Sequence, residues 1–462
     1  MGFSHWLGAS FDSPTIDQIL FHLHYSSGMG VDIGRIFVFT FLAECIAFPA
    51  VLALGAQVLQ EVLLRLARRS RPGVVGQGGG MLLSSLAVIC GVGVLMAKLS
   101  VFSWVGSYFG EDLFSQRFVT PPDGALQQSP QPKNLVLIYV ESLEETYGDA
   151  AVWGRDLLQP LHELGGVSFA DYRPAAGATW TIAAMVATQC GVPLQVVSQY
   201  EFKGGGEYNR SFLPGANCLG DVLQRHGYQN VFLGGAPLAF SGKGEFLKDH
   251  GYEVAYGREE WQKEGAGGDA LSEWGLYDDE LFARAKVKLA RLHASGRPFN
   301  LTMLTLDTHN PYGFRSPACR RRGLKSFEDI VECTSHQTAE FVRFIRQSGY
   351  LKDTNVVVIG DHLAVSNPVY DALRNIRNRR IFNTFISEPP PVKNTESIVP
   401  FDLYPTLLEF VGFDLMGDRI GLGYSGFNTP EATRPPDRLS TLENLPLRGS
   451  RTYDKLWQAP SD

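Results

Sequence analysis

Two long apolar stretches stand near the start of the chain, and a different rhythm follows them. Residues 36–56 are apolar except for a few positions such as Thr40 and Glu44, and apolar residues continue in patches to Leu64. Residues 81–97 carry no charge and end at Lys98, with Trp104 just beyond. Each run reaches roughly the 17–25 residues that a helix needs to cross a bilayer. Between them lie Arg65, Arg68, Arg69 and Arg71, closed by Pro72–Gly73. Basic residues gathered in a short loop face the cytoplasm. The pattern therefore predicts two transmembrane helices over 35–105 and places everything after about residue 106 outside. Glu44 reads as an acid near the exterior half of the first span, meeting water or a neighbouring helix, ahead of the alternative of a buried polar contact or part of a lipid path. Residues 1–34 set Ile16, Ile19, Leu20, Phe21 and Leu23 among His, Asp and Ser, an amphipathic exterior segment suited to a membrane surface.

Residues 106–133 include PPDGALQQSPQPK, which is linker composition. From Asn134 onward, short β-branched runs alternate with amphipathic stretches. NLVLIYV (134–140), QNVFLGG (229–235), FNLTMLTL (299–306) and NVVVIG (355–360) read as buried parallel strands. DVLQRHGY and ELFARAKVKLARLHASG read as helices that end at Gly. This alternation over 134–430 predicts an α/β domain, with helices on both faces of a mainly parallel central sheet. Residues 431–462 are polar and Pro-bearing and read as a loose tail.

Composition narrows the function. Forty-one Lys and Arg against 48 Asp and Glu leave a formal charge of −7, which argues against a nucleic-acid partner. A chain that is 44% hydrophobic and 19% charged is not intrinsically disordered. Cys45 and Cys90 fall in the spans and read as small packing residues. Cys190, Cys218, Cys319 and Cys333 fall in the exterior domain without CxxC spacing, so disulfides are favoured over a metal site. The sequence-local pairings are Cys190–Cys218 and Cys319–Cys333, among three possibilities.

Three strand runs end in chemistry-bearing side chains. NLVLIYV runs into Glu141, FNLTMLTL into Asp307 with His309 two residues on, and NVVVIG into Asp361–His362. Ligands bind outside the carboxyl ends of strands in open parallel sheets, so these groups should converge. Singly, each acid reads as a helix cap. Together, carboxylates and imidazole suit a divalent cation such as Mn²⁺, Zn²⁺ or Mg²⁺, and ligand type alone does not choose among them. Thr181, in AAGATWTIAAMVATQCGVPL (175–194), falls at a helix start, where amides and dipole favour an anion. Taken alone, it reads better as a helix cap.

VESLEETYGD, the ATWTIAAMVATQCGVPL block, LDTHNPY, GDHLAVS and FDLYPTLLEFVGF together resemble the phosphoglycerol transferases of the alkaline phosphatase/sulfatase superfamily. The likeness is greatest to the type that decorates osmoregulated periplasmic glucans, for which NCLGD and GLGYS (421–425) are specific; lipoteichoic acid synthases are more distant relatives. The resemblance implies an alkaline phosphatase/sulfatase-like sandwich on a membrane anchor, at the bacterial inner membrane with its catalytic domain facing the periplasm. It implies that Glu141, Thr181, Asp361 and His362 bind the metal and that Thr181 is the nucleophile. His309 would contact the substrate phosphate and Ser366 the head group. The synthases carry a Trp and an Arg where this chain has Phe240 and Lys243 nearby, and Lys lacks the bidentate fork of Arg. The implied partners are phosphatidylglycerol as donor, a periplasmic glucan as acceptor and the lipid bilayer. A phosphoethanolamine transferase would share nucleophile, metal and anchor. A sulfatase would need the C/S-x-P-x-R motif, which is missing. An inactive membrane-tethered module would not need the matched residues at all.

Overall fold

The computed structural model describes residues 18, 21, 42–70, 89–94, 96–97, 101–106, 111–120, 126–195, 211–445 and 450–458. The chain divides into two compact units, residues 1–20 with 30–109 and residues 21–29 with 110–462.

In the first unit, a π-helical turn (Leu42–Ala47) leads into helix α1 (Phe48–Ser70). Leu42–Leu59 is long and apolar enough to cross a membrane. Val51, Leu54 and Val58 are more than three-fifths exposed there, as lipid-facing residues would be. Arg65, Arg68 and Arg69 extend this helix rather than forming a loop, because nothing before Pro72–Gly73 breaks it; Arg65 pairs with Glu61 one turn back. Arg71 lies outside the described residues. Of the second expected span, residues 89–94 and 96–97 are helical and the rest lie outside the described residues.

The second unit is built on a six-stranded sheet. Its strands are β1 (Asn134–Val140), β2 (Gln229–Gly234), β3 (Val254–Tyr256), β4 (Phe299–Leu304), β5 (Thr354–Gly360) and β6 (Asn383–Ile386). They lie in the order β3-β2-β4-β1-β5-β6, parallel except for β6. All seven residues of β1 are buried, as a strand covered on both faces requires. Val136, Ile138 and Val140 share one core with α3 (Asp278–Ala294) and α4 (Phe327–Gln347). On the other face the Tyr139 hydroxyl meets Thr188 Oγ1 at 2.6 Å on α2 (Thr181–Cys190), which packs against α5 (Pro400–Phe410). This is the predicted α/β sandwich.

Register sets the site. Val140 pairs with Gly360 and Tyr139 with Leu304, so β1, β5 and β4 end together. A Cβ on Gly360 would sit 1.8 Å from the Leu143 carbonyl oxygen, so only glycine lets the chain after β1 fold over the end of β5.

Two segments read as unstructured are folded. The expected linker carries a helix, Leu113–Arg117, with Phe114 buried, and a strand, Leu126–Gln128, paired antiparallel with Phe413–Leu415. The expected loose tail carries helices Arg438–Glu443 and Arg451–Leu456. Its Arg438 is buried against Asp402, and Tyr453 packs edge-on to Phe114, with ring centroids 5.2 Å apart. Polar composition hid these segments because a few aromatic and paired residues anchor them. In the amphipathic segment, most of which lies outside the described residues, Phe21 is buried edge-on to Phe212, at 6.0 Å.

Candidate active site

Glu141 leaves β1 held at both ends of its peptide unit. Its N–H donates to Thr305 Oγ1 (3.0 Å), and its carbonyl accepts from Thr308 Oγ1 (2.6 Å). The next residue, Ser142, takes a left-handed backbone with φ of 54°. Its amide then donates to Asp361 Oδ1 (2.7 Å) and its hydroxyl to Glu141 Oε1 (2.8 Å). One strained residue thus braces the acids from two strand ends.

The Asp361 Oδ1 atom also accepts the His362 amide at 2.9 Å. His362 Nδ1 donates to the Leu363 carbonyl (2.8 Å), which leaves Nε2 facing Glu141 Oε1 (3.6 Å) and Asp361 Oδ2 (3.4 Å). Asp361 Oδ2 is buried with no hydrogen-bond partner. An orphaned carboxylate oxygen beside a second carboxylate and an imidazole lone pair is a donor set that fits a divalent cation. Burial works against the Glu141 carboxylate, but the His309 and His362 imidazoles and the bonds from Ser142 and Thr181 hold it below the ordinary range. Burial, with Glu141 alongside, pushes Asp361 up to about 7. A bound cation would replace the proton that this pair otherwise retains.

Among the described residues one other group has metal-ligand types in reach, Cys218, Asp221 and His250. There the Cys218 sulfur is tied in a disulfide and His250 Nδ1 is hydrogen-bonded to Asp221 at 2.8 Å, so the group does not fit.

Thr181 is the first residue of α2, and Trp180, not Thr181, occupies the capping position. The Thr181 hydroxyl donates to Glu141 Oε2 at 3.3 Å. It therefore joins the cluster at the positive end of a ten-residue helix. Cys190, at the far end of α2, is bonded to Cys218, and Cys319 to Cys333 in the second turn of α4.

His309 lies near enough to Glu141 to lower its pKa, and its Nδ1 donates to the Asn310 carbonyl at 2.6 Å. Its ring stacks on Trp274, with centroids 5.2 Å apart, and Trp274 receives the edge of Phe240 at 5.1 Å. Lys243 is buried, and burial pushes its ammonium down to about 8, with the Glu141 and Glu259 carboxylates opposing. Ser366 is half-buried on the loop after His362. Buried Glu144 holds that loop through the Ala364 amide (3.1 Å) and through Arg379, which also reaches the Ala364 carbonyl (2.6 Å).

Asp307 does not join the metal cluster. Its Oδ1 accepts the Asp278 amide (3.3 Å), while Asp278 Oδ2 accepts the Asp307 amide (3.1 Å). This exchange ties the loop after β4 to the start of α3. Burial raises both acids, Asp278 to about 7 with Asp279 adding to the rise, and Asp307 with Asp278 adding. Sequence reasoning missed Asp278, Ser142, Trp274 and Arg379. Only the second acid of VESLEE hinted at Glu144, since partners far apart in the chain leave no local pattern.

The model of the Sulfatase family matches residues 133–413, which hold all these groups. The chain belongs to the sulfatase family. Within that family it is 39% identical over 346 residues to phosphoglycerol transferase I of Escherichia coli O6:K15:H31, covering 72% of this chain and 44% of the relative. It is 38% identical over 345 residues to phosphoglycerol transferase I of Shigella flexneri, with the same coverage. The chain thus spans less than half the length of these relatives. Two solved structures share the sulfatase-like fold. One is an alkaline phosphatase superfamily protein from Vibrio parahaemolyticus (TM-score 0.50, 18% identity, 71% of this chain and 80% of that one). The other is the lipoteichoic acid synthase LtaP from Listeria monocytogenes (TM-score 0.52, 17% identity, 69% and 81%).

Proposed function

We propose that this protein is a membrane-anchored, metal-dependent phosphoglycerol transferase that moves phosphoglycerol from phosphatidylglycerol to a glucan on the periplasmic side. The observation that carries this reading is the Thr181 hydroxyl bonded to Glu141 within the Glu141–Asp361–His362 cluster. The 39% identity to a phosphoglycerol transferase I supports the choice of transferred group.

Glu141, Asp361 and His362, with Thr181, would hold the cation, Mn²⁺ being favoured. When bound, the cation supplies positive charge that acidifies the Thr181 hydroxyl and polarises the phosphoryl oxygens. Thr181 Oγ, its proton passing to solvent water, attacks the phosphorus of phosphatidylglycerol, and a phosphoglycerol–threonine ester forms as the bond to the diacylglycerol oxygen breaks. Protonated His309 hands its Nε2 proton to that leaving oxygen. An acceptor hydroxyl then attacks the phosphorus, its proton passing to His309, as the bond from phosphorus to Thr181 Oγ breaks and Thr181 takes a proton back from water. Buried Lys243 and the amides opening α2 face the phosphate charge, while Ser366 and Phe240 contact the glycerol. The apolar helix keeps the site beside a donor that cannot leave the bilayer.

Exposure of the Mn²⁺-loaded protein to phosphatidylglycerol should leave a phosphoglycerol adduct on Thr181 by peptide mass analysis. An adduct elsewhere, or wild-type transfer by Thr181→Ala, would make Thr181 a structural residue and end this reading.

A further inference from the structure

Trp274 has no part in the scheme above, yet its position is tightly built. Its ring lies at 29° to His309, and Phe240 braces it at 76°. Unlike the fully buried Trp261, it is only part-buried, so burial alone does not account for its placement.

The turn beneath it is fixed from the backbone. Ser272 Oγ accepts the amides of Trp274 (3.2 Å) and Gly275 (3.0 Å), and the Ser272 amide donates to the Gly275 carbonyl (2.7 Å). The Leu276 amide donates to Gly235 (3.0 Å), just past β2. A Cβ on Gly275 would lie 2.1 Å from the Gly235 oxygen, so the turn is pressed against the carboxyl end of β2 at the one residue type that fits. The sheet thereby sets the indole, and the indole sets the imidazole plane.

His309 has one nitrogen committed, Nδ1 to Asn310, so Nε2 is the nitrogen left to address a substrate. A ring held only at Nδ1 can still swing about that bond. Stacking removes this freedom, and aromatic pairs favour a defined offset.

We propose that Trp274 is a positioning residue that aims His309 Nε2 at the reacting phosphate. This rests on the reading of His309 as the proton donor to the leaving oxygen. Trp274 acts through His309 and does not itself touch the reacting atoms.

The test is diacylglycerol release from phosphatidylglycerol in detergent micelles by the full chain loaded with Mn²⁺. Trp274→Leu should lower kcat roughly tenfold and leave KM within about twofold. Trp274→Phe should recover most of the rate. On a His309→Ala background, Trp274→Leu should change the residual rate no further, because two residues acting as a unit are not additive. An unchanged thermal midpoint and Mn²⁺ content would show that the variants fold, and Trp274→Met serves in the same comparisons if Leu does not. Losses that multiply in the double variant, a change confined to KM, or no rescue by Phe would overturn the proposal. A slow His309→Ala beside a wild-type Trp274→Leu sinks this inference alone. A wild-type His309→Ala sinks the role given to His309 and this inference with it.

Discussion

Ser142 shows how much a single residue can set. Its left-handed backbone aims the amide at Asp361 while its hydroxyl reaches Glu141, so two carboxylates from different strands share one brace. Groups that orient metal ligands commonly contribute 10–100-fold to metal affinity. Ser142→Ala keeps the amide bond and loses the hydroxyl bond, so Mn²⁺ binding measured by calorimetry should weaken about tenfold. On the proposed reading, Asp361→Asn and His362→Ala each weaken or remove a metal ligand and should abolish binding in the same titration. Thr181→Ala should keep most of the metal while losing transfer, which separates the ligands from the nucleophile.

At the scale of elements, helix α2 is held at both ends. Thr181 reaches Glu141 at one end, and Cys190 is bonded to Cys218 at the other. That bridge spans 28 residues, and closing such a loop restricts the unfolded chain by about 3–4 kcal/mol. Cys190→Ala with Cys218→Ala should therefore lower the denaturation free energy by about that amount. The segment after β1 carries a pH-dependent contact. His162 is raised to about 9 by its bond to Glu145, against burial, with Asp156 adding to the rise. A raised imidazole stabilises the fold fully below its unfolded value of ~6.5, and that stabilisation is lost as pH rises through the folded value. His162→Gln should lower the melting temperature most at pH 6, and the deficit should close by about pH 10.

At the scale of the second unit, the segment that follows the sulfatase-matched region packs back onto it. Arg438 is buried against Asp402 in α5, and Tyr453 donates to the Pro193 carbonyl (2.8 Å) just beyond α2. Removing one partner of a buried ion pair leaves an uncompensated charge. Arg438→Met should cost about 3–5 kcal/mol in a denaturant titration of the full chain. Topology is testable at the scale of the whole chain. A phosphatase reporter fused after residue 106 should be active and one fused at residue 72 inactive; the reverse result would turn the proposed orientation around.

The sequence by itself determined the strands at 134–140, 229–235, 299–306 and 355–360, because a strand buried on both faces must be a continuous apolar run. It also determined that Glu141, Asp361 and His362 stand at strand ends, since each directly follows such a run. What it left open were relations between distant segments. Asp307 has the same local signature as Glu141, and only the packing of α3 against the loop after β4 turns it to Asp278 and away from the cluster. The edge strand β6 was likewise invisible, because its partner β5 lies beyond an irregular stretch of more than 20 residues; the described parts of the linker and the folded tail were invisible because partners such as Phe413–Leu415 and Phe114 lie hundreds of residues away. Trp274 reads as any aromatic in a turn until the sheet places it on His309. Periodicity records which face of an element is buried; which side chains meet there is decided by the register of the sheet and the path of the loops between its strands.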